Sequence, residues 1–384
     1  MLPAGCRQLQ ASSPRSPGEE AQHARHFVRA SSAIILNSFR KMNVGSEPKS
    51  TIWLKRFAWF TGFATLLLIC SGGMVTSKGV GLAVPDWPTT FGYNMFLFPA
   101  SKWIGGIFFE HTHRLIASTV GFLTIILAAW LWFVDPRRWV RILGVAAVGA
   151  VILQGFLGGL RVTMLKDEIG IFHACLAQAF FGLVVIIALV TSRSWRAPAA
   201  VAGRGKSLRG AALTTTIFIY LQLALGATMR HQHRDLAITD FPTAYGQWIP
   251  DTSAAAIAKI NAARDTIAMS DVSAAQIWLQ MAHRFGAVLV AIGVIWFFVS
   301  AHREKISPLR GLSTAWLIGV LLQVTLGAWT IWSNKAADVA TAHVAVGATL
   351  LGLGAVICAF CFRQNETPSE FSASRRAKSD PVIA

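Results

Sequence analysis

Eight apolar stretches, near residues 57–75, 106–134, 142–161, 171–191, 211–228, 278–300, 312–332 and 340–361, constrain this chain more than anything else in it. A helix of about 20 apolar residues crosses the hydrocarbon of a bilayer. Backbone polar groups placed there must be satisfied within the segment itself, so each stretch is predicted to be helical. Hydrophobic residues make up 54% of the chain and charged ones 14%, and the two kinds are segregated along it rather than interleaved. The predicted fold class is an all-α polytopic membrane protein with eight transmembrane helices.

The formal net charge of +17 invites a nucleic-acid reading. Its distribution argues for topology instead. Lys and Arg gather in the N-terminal segment, in D-P-R-R-W-V-R, between Arg193 and Arg209, in H-R-E-K-I-S-P-L-R and in the C-terminal tail. These are alternate connections, and in the others acidic residues balance the basic ones. The positive-inside rule puts both termini in the cytoplasm of a bacterium, or in the matrix if the membrane is the mitochondrial inner one, with no nucleic acid as partner. Cys70, Cys175, Cys358 and Cys361 fall in spans and Cys6 in the N-terminal segment, so no external disulfide is expected. Cys358 and Cys361 can pack or bind a metal, packing being the expected role. Residues 1–55 are polar and aperiodic and are expected to be a disordered cytoplasmic segment, with Met42 an alternative start. A transit peptide also fits their Arg and Ser content, against which stand Glu19 and Glu20.

The two halves repeat. His113 and His283, and His173 and His343, are related by one offset of 170 positions. L-A-V-P-D-W-P-T-T-F-G (Leu82 to Gly92) matches L-A-I-T-D-F-P-T-A-Y-G (Leu236 to Gly246), and Gln154, Gly158 and Gly159 are answered by Gln323, Gly327 and Ala328. Four spans per half keep the same orientation, which predicts two tandem parallel-repeat four-helix bundles. The expected units are 56–192 and 211–362, joined by a basic cytoplasmic linker at 193–210 and followed by a cytoplasmic tail at 363–384. The second outer loop holds about 16 extra residues, with Ala-rich spacing between Asp and Ser that suggests a short amphipathic helix at the outer face, as lid, partner surface or spacer.

Neutral imidazole suits a haem iron or transition metal bound within a membrane. All four histidines open helices that enter from outside, which places them at one depth, and a pair on facing helices can hold a haem between them. Arg114 and Arg284 follow their histidines directly and can bind propionates or snorkel to lipid phosphate. Trp87, Phe91, Tyr93, Phe241 and Tyr245 can cover a porphyrin or form an interfacial belt. Glu110 shares the face of His113, whereas the second half has neutral Gln280 there, so the first site is expected to be reactive and the second a spectator. The alternative for Glu110 is to hold His113 or Arg114 in place. His111, answered by Met281, is expected to meet the loop, and His231 and His233 to be surface residues.

Together, E-x-x-H-R on the second helix, the G-L-x-x-x-D-W pattern of Gly81 to Trp87 and the duplicated histidine-bearing units resemble the heme A synthase family over residues 55–362. The resemblance implies an oxidoreductase that converts the C8 methyl group of haem o to the formyl group of haem a during cytochrome oxidase assembly. It implies that His113 and His173 bind the iron of the substrate haem, with Arg114 also part of that haem's site, that Glu110 is catalytic, and that His283 and His343 are ligands of the iron of a haem b cofactor, with Arg284 part of that site. Haem o, an electron acceptor, a haem o-producing farnesyltransferase and membrane lipid are the implied partners, with a homo-oligomer left open. Unlike some bacterial members, this chain has no cysteine pair in the first outer loop. Di-haem b-type cytochromes that exchange electrons with quinone remain the alternative, and a transporter comes third.

Overall fold

In a computed structural model the described residues are 52–192, 195, 207–232 and 236–363. The N-terminal segment with Met42, most of the basic linker, His233 and the tail beyond Arg363 lie outside them. Nine α-helices occur among the described residues: α1 (Ile52–Ser77), α2 (Gly105–Val134), α3 (Arg138–Met164), α4 (Asp167–Val190), α5 (Arg209–Gln232), α6 (Ala254–Asp265), α7 (Ala274–Arg303), α8 (Ser307–Trp332) and α9 (Ala337–Phe362). All but α6 are long and apolar enough to cross a membrane. They run several residues past the purely apolar stretches, and at the start of α7 a polar cap accounts for the extension. Ser273 starts α7 by accepting from the Gln276 N–H, while the Gln276 side chain returns a bond to the Ser273 N–H.

In the first half α1 packs on α2, α2 on α3, α3 on α4, and α4 back on α1; α5, α7, α8 and α9 form the same ring in the second. The rings meet where α9 touches α1 and α4, and where α4 touches α5. Accordingly 56% of the apolar window of α4 and 61% of that of α9 is buried, against 17–22% for α2, α3, α5, α7 and α8. In lipid, close approach between helices rather than apolar burial drives such packing. Glycines on α9 provide it. Gly347 faces Leu223 of α5, Gly352 faces Phe181 of α4, and Gly354 faces Thr216 of α5. Ile69, Phe181, Val185 and Ala348 form a cluster shared by α1, α4 and α9.

The short α6 falls within the extra segment of the second loop. Ser253 caps its N-terminus, and Ile257 and Ile260 pack on a cluster of Ala237, Ile238, Ala244, Val272, Ile277 and Met281. Arg264, 4% exposed, donates to the carbonyls of Leu236 and Ser270. The segment is therefore folded onto its own loop and the start of α7.

Candidate functional site

Each long loop closes on an aspartate. Asp86 accepts from the Thr89 hydroxyl (2.5 Å), the Phe91 N–H (2.7 Å) and the Gly92 N–H (2.9 Å). Asp240 accepts from Thr243 (2.7 Å), Tyr245 (2.7 Å) and Gly246 (3.0 Å) in the same way. Burial alone would raise both carboxyls, but these hydrogen bonds hold them below the usual carboxylate range. Phe91 and Tyr245 take left-handed φ of 49° and 54°, and Gly92 and Gly246 φ of 77° and 76°. The glycine after the aromatic residue completes the turn at little steric cost. This is the physical content of D-x-P-T-x-aromatic-G.

E-x-x-H-R then straps the loop to the bundle. Glu110, 3% exposed, accepts from the Val84 N–H (2.9 Å) with one oxygen and pairs with Arg114 (2.7 Å) through the other. Arg114 donates further to the carbonyls of Val84 (2.9 Å), Asp86 (2.7 Å) and Thr89 (3.0 Å), so its four terminal N–H bonds are filled. In the second half Gln280, also 3% exposed, makes the equivalent bonds to the N–H (2.9 Å) and carbonyl (3.0 Å) of Ile238. Arg284 reaches the carbonyls of Asp240 (2.6 Å) and Thr243 (2.8 Å) and lies over the Phe241 ring. Positions i and i+4 thus hold the loop, and the histidine at i+3 is left for another partner. A propionate would have to meet the Nε–H of Arg114, or the Nε–H or the one remaining terminal N–H of Arg284.

All four histidines rest on helical glycines. The Cε1 of His113 faces Gly72 of α1, that of His173 faces Gly158 of α3, that of His283 faces Gly226 of α5, and that of His343 faces Gly327 of α8; a Cβ added at those glycines would stand 3.0, 3.2, 3.3 and 3.1 Å away. Four residues before three of these glycines is a glutamine. Gln154 donates to the His173 carbonyl (2.8 Å), Gln222 donates to that of His283 (2.6 Å), and Gln323 approaches Nε2 of His343 (3.5 Å). Leu68 stands at the corresponding place on α1. Q-x-x-x-G is the signal that could have identified Gly226 and Gln222 in the sequence, and only its α3 and α8 copies stand out there.

His283 and His343 face each other with ring centroids 6.5 Å apart and planes at 63°. Metal–imidazole bonds of about 2 Å on opposite sides of one ion would put the centroids roughly 6 Å apart. In addition, Nδ1 of each of the four histidines is buried without a hydrogen-bond partner. Buried nitrogens in that state call for a partner, and a haem held between the histidines would account for them. Seated, desolvated and unpaired at Nδ1, these imidazoles fit a haem iron.

Other residues fall into place around them. His111 is fully buried, with Nδ1 3.2 Å from the Thr90 hydroxyl and its ring against Phe98 and Trp103, so it meets the loop as expected. His231 is not a surface residue. Half-buried at the end of α5, it packs on Gly170 of α4 beside Arg161, a contact that no local pattern announces. Trp87 lies flat on Gly159 of α3, and a Cβ there would run into its indole. The corresponding Phe241 packs against Trp332, one turn from Ala328. Cys358 lies 3.4 Å from the Thr216 hydroxyl, and among the described residues no cluster of three His, Cys, Asp or Glu is arranged to hold a bare metal ion.

The family described as cytochrome oxidase assembly protein matches residues 55–354. Proteins named heme A synthase are among the relatives. One from Shouchella clausii is 29% identical over 252 residues, covering 64% of this chain and 75% of that protein. Another, from Bacillus licheniformis, is 27% identical over 316 residues, covering 80% and 94%, and a third, from Lysinibacillus sphaericus, is 26% identical over 310 residues, covering 78% and 92%.

Proposed function

Since this chain belongs to the cytochrome oxidase assembly protein family, we propose that it is a heme A synthase, a multi-pass membrane oxidoreductase that converts haem o to haem a. The reaction oxidises the C8 methyl group to a formyl group, with the formyl oxygen coming from water and the four electrons passing to an external acceptor. We assign the substrate site to residues 56–192 and a resident haem b to residues 211–362.

The observation that carries this assignment is the strap. Two histidine pairs on glycine seats are built alike, yet the first is flanked by the charged pair Glu110–Arg114 and the second by neutral Gln280 beside Arg284. A spectator site needs only the loop held, and Gln280 does that. Glu110 holds the loop as well and adds a carboxylate one turn from His113.

In this reading His113 and His173 bind the iron of haem o, and Arg114 offers its remaining Nε–H to a propionate. His283 and His343, with Arg284, hold the haem b. Removing hydrogen from an unactivated methyl group is beyond any side chain, and the haem irons with an external acceptor supply that redox capacity. What the chain contributes is orientation, a dry apolar bundle and a proton acceptor. The glycine seats fix the imidazoles, the strapped loop covers the site, and Glu110 takes up the proton lost from the substrate methyl. In a bacterial cytoplasmic membrane both termini would face the cytoplasm, with a haem o-producing farnesyltransferase and an electron acceptor as partners. The mitochondrial inner membrane is the alternative location.

The 6.5 Å His283–His343 geometry is also what an electron-carrying di-haem b-type cytochrome would need, which keeps that second reading in view. Extraction and chromatography of the haems from purified protein separates the two. Haem o, its hydroxylated derivative or haem a supports the synthase, and b-type haem alone supports the carrier.

A further inference from the structure

Arg161 stands on α3 three residues beyond Gly158, the seat of His173, and so on the same face one turn nearer the long loops. Its guanidinium lies between two glycines. A Cβ at Gly81, where the first loop begins, would stand 3.0 Å from both terminal nitrogens, and one at Gly170 would stand 3.2 Å from Nε. Gly170 is itself three residues before His173 on α4. The same point at Gly170 is 2.7 Å from Nδ1 of His231, which arrives from α5 in the other half. Arg161 and His231 therefore converge one turn above the His173 imidazole.

Arg161 differs from every other arginine near the histidines in how it is used. The terminal nitrogens of Arg114 and Arg284 are engaged by the loops and, for Arg114, by Glu110, and Arg230, next to His231, donates to the Gly73 carbonyl and the Ser77 hydroxyl of α1. No hydrogen bond or ion pair engages the Arg161 guanidinium among the described residues, although its charge is near enough to act on His113, His173 and Glu110. Asp167 is also within that range, but Asp167 is exposed and not bonded to it. Among the described residues the second half has no arginine at the corresponding position. Counting from Gln323 as Arg161 is counted from Gln154 gives Thr330, whose hydroxyl bonds back to the Leu326 carbonyl (2.8 Å).

We propose that Arg161, assisted by His231, is the carboxylate anchor of the first site and binds a propionate of the substrate haem. The assignment rests on the reading of the first half as a haem site and deepens it. Arginine matches a carboxylate with two parallel N–H bonds, and the low dielectric of a bundle strengthens them. The anchor would also fix which edge of the porphyrin points toward the long loops. Because the C8 methyl group has a fixed place relative to the propionates, holding them chooses the substituent that lies near Glu110. His231 makes this anchor depend on both halves, so the first unit alone does not complete it.

The test uses full-length protein with its resident haem in place, titrated with ferric protohaem IX and, separately, with its dimethyl ester, both followed by absorbance. The wild type should bind a second equivalent of the diacid at least about tenfold more tightly than the ester. Arg161→Gln should lose that preference by weakening the diacid alone, Arg161→Lys should keep part of it, and His231→Gln should reduce it a few-fold. Equal weakening of diacid and ester in Arg161→Gln would make Arg161 a packing residue and overturn the anchor, as would an undiminished preference. If the wild type takes up no second equivalent, the haem-site reading falls and the anchor with it. A second equivalent bound without regard to Arg161 overturns the anchor alone.

Discussion

Replacing the glycine under a histidine gives the most direct physical test of the site. At Gly226 an added Cβ would lie 3.3 Å from Cε1 of His283, and at Gly327 it would lie 3.1 Å from Cε1 of His343, where ordinary contacts begin at 3.4 Å. Neither imidazole can simply retreat, since each sits on a helix facing its partner ring across 6.5 Å. Overpacking of a tight contact costs about 1–3 kcal/mol. We assign about 1 kcal/mol to Gly226→Ala and about 2 kcal/mol to Gly327→Ala, which weaken haem binding by roughly 5-fold and 30-fold. Gly327→Val, with two further methyl groups, should abolish it. Gly149→Ala on α3 is the control, because nothing lies within 4 Å of its Cβ position. There a helix gains about 0.5–1 kcal/mol from the substitution and haem binding should not change. Haem per protein after purification and the affinity for added ferric protohaem measure the series. Were Gly327→Ala to bind as tightly as the control, the glycines would not be seats, and the inference that they set the imidazole positions would be wrong.

Three more outcomes are expected. Glu110→Gln should fold and keep the resident haem, because Gln280 already makes the same bond to the loop N–H; it should accumulate haem o or a partly oxidised form, and normal haem a production by this variant in cells without another source would remove Glu110 from the chemistry. His283→Ala or His343→Ala should each remove most of the low-spin b-type absorbance while His113→Ala and His173→Ala keep it, and the reverse pattern would exchange the two halves. Asp86 and Asp240 have lowered folded pKa values, so their stabilisation of the loops is present above the unfolded value near 3.8 and is lost as pH falls through the folded one; hydrogen exchange of residues 86–92 should accelerate only below about pH 4, Asp86→Asn should remove that acid step, and a midpoint near pH 6 would implicate another group.

The spans, the histidine pairs and the Asp-centred loops could all be read from the sequence, because each rests on a short-range pattern. Apolar length marks a helix, and D-x-P-T-x-aromatic-G marks one turn. Arg114 shows where that reading stops. A cation beside a histidine looks available to a propionate, yet three of its four terminal N–H bonds go to carbonyls 25 to 30 positions earlier in the chain and the fourth to Glu110. Arg161 and His231 illustrate the converse. They lie 70 positions apart, and only the packing of α4 on α5 brings them together, so Arg161 reads as one more balanced charge in an outer loop and His231 as surface. Likewise Gly72 is anonymous on α1 until the His113 ring is seen against it.

The fit of Trp87 on Gly159, with Phe241 and Ala328 at the corresponding positions of the other copy, also bears on how two equal halves could have drifted apart. Putting the alanine methyl into the first copy while the indole remains would create a collision; shrinking the indole first opens a gap that the methyl can then fill. Starting from the second copy, the methyl must leave before the larger ring can enter. Each direction of change therefore has only one passable order of steps. A chimaera that exchanges α3 for α8 without its loop would inherit a mismatched pair, so grafts between the halves should succeed only when loop and helix travel together.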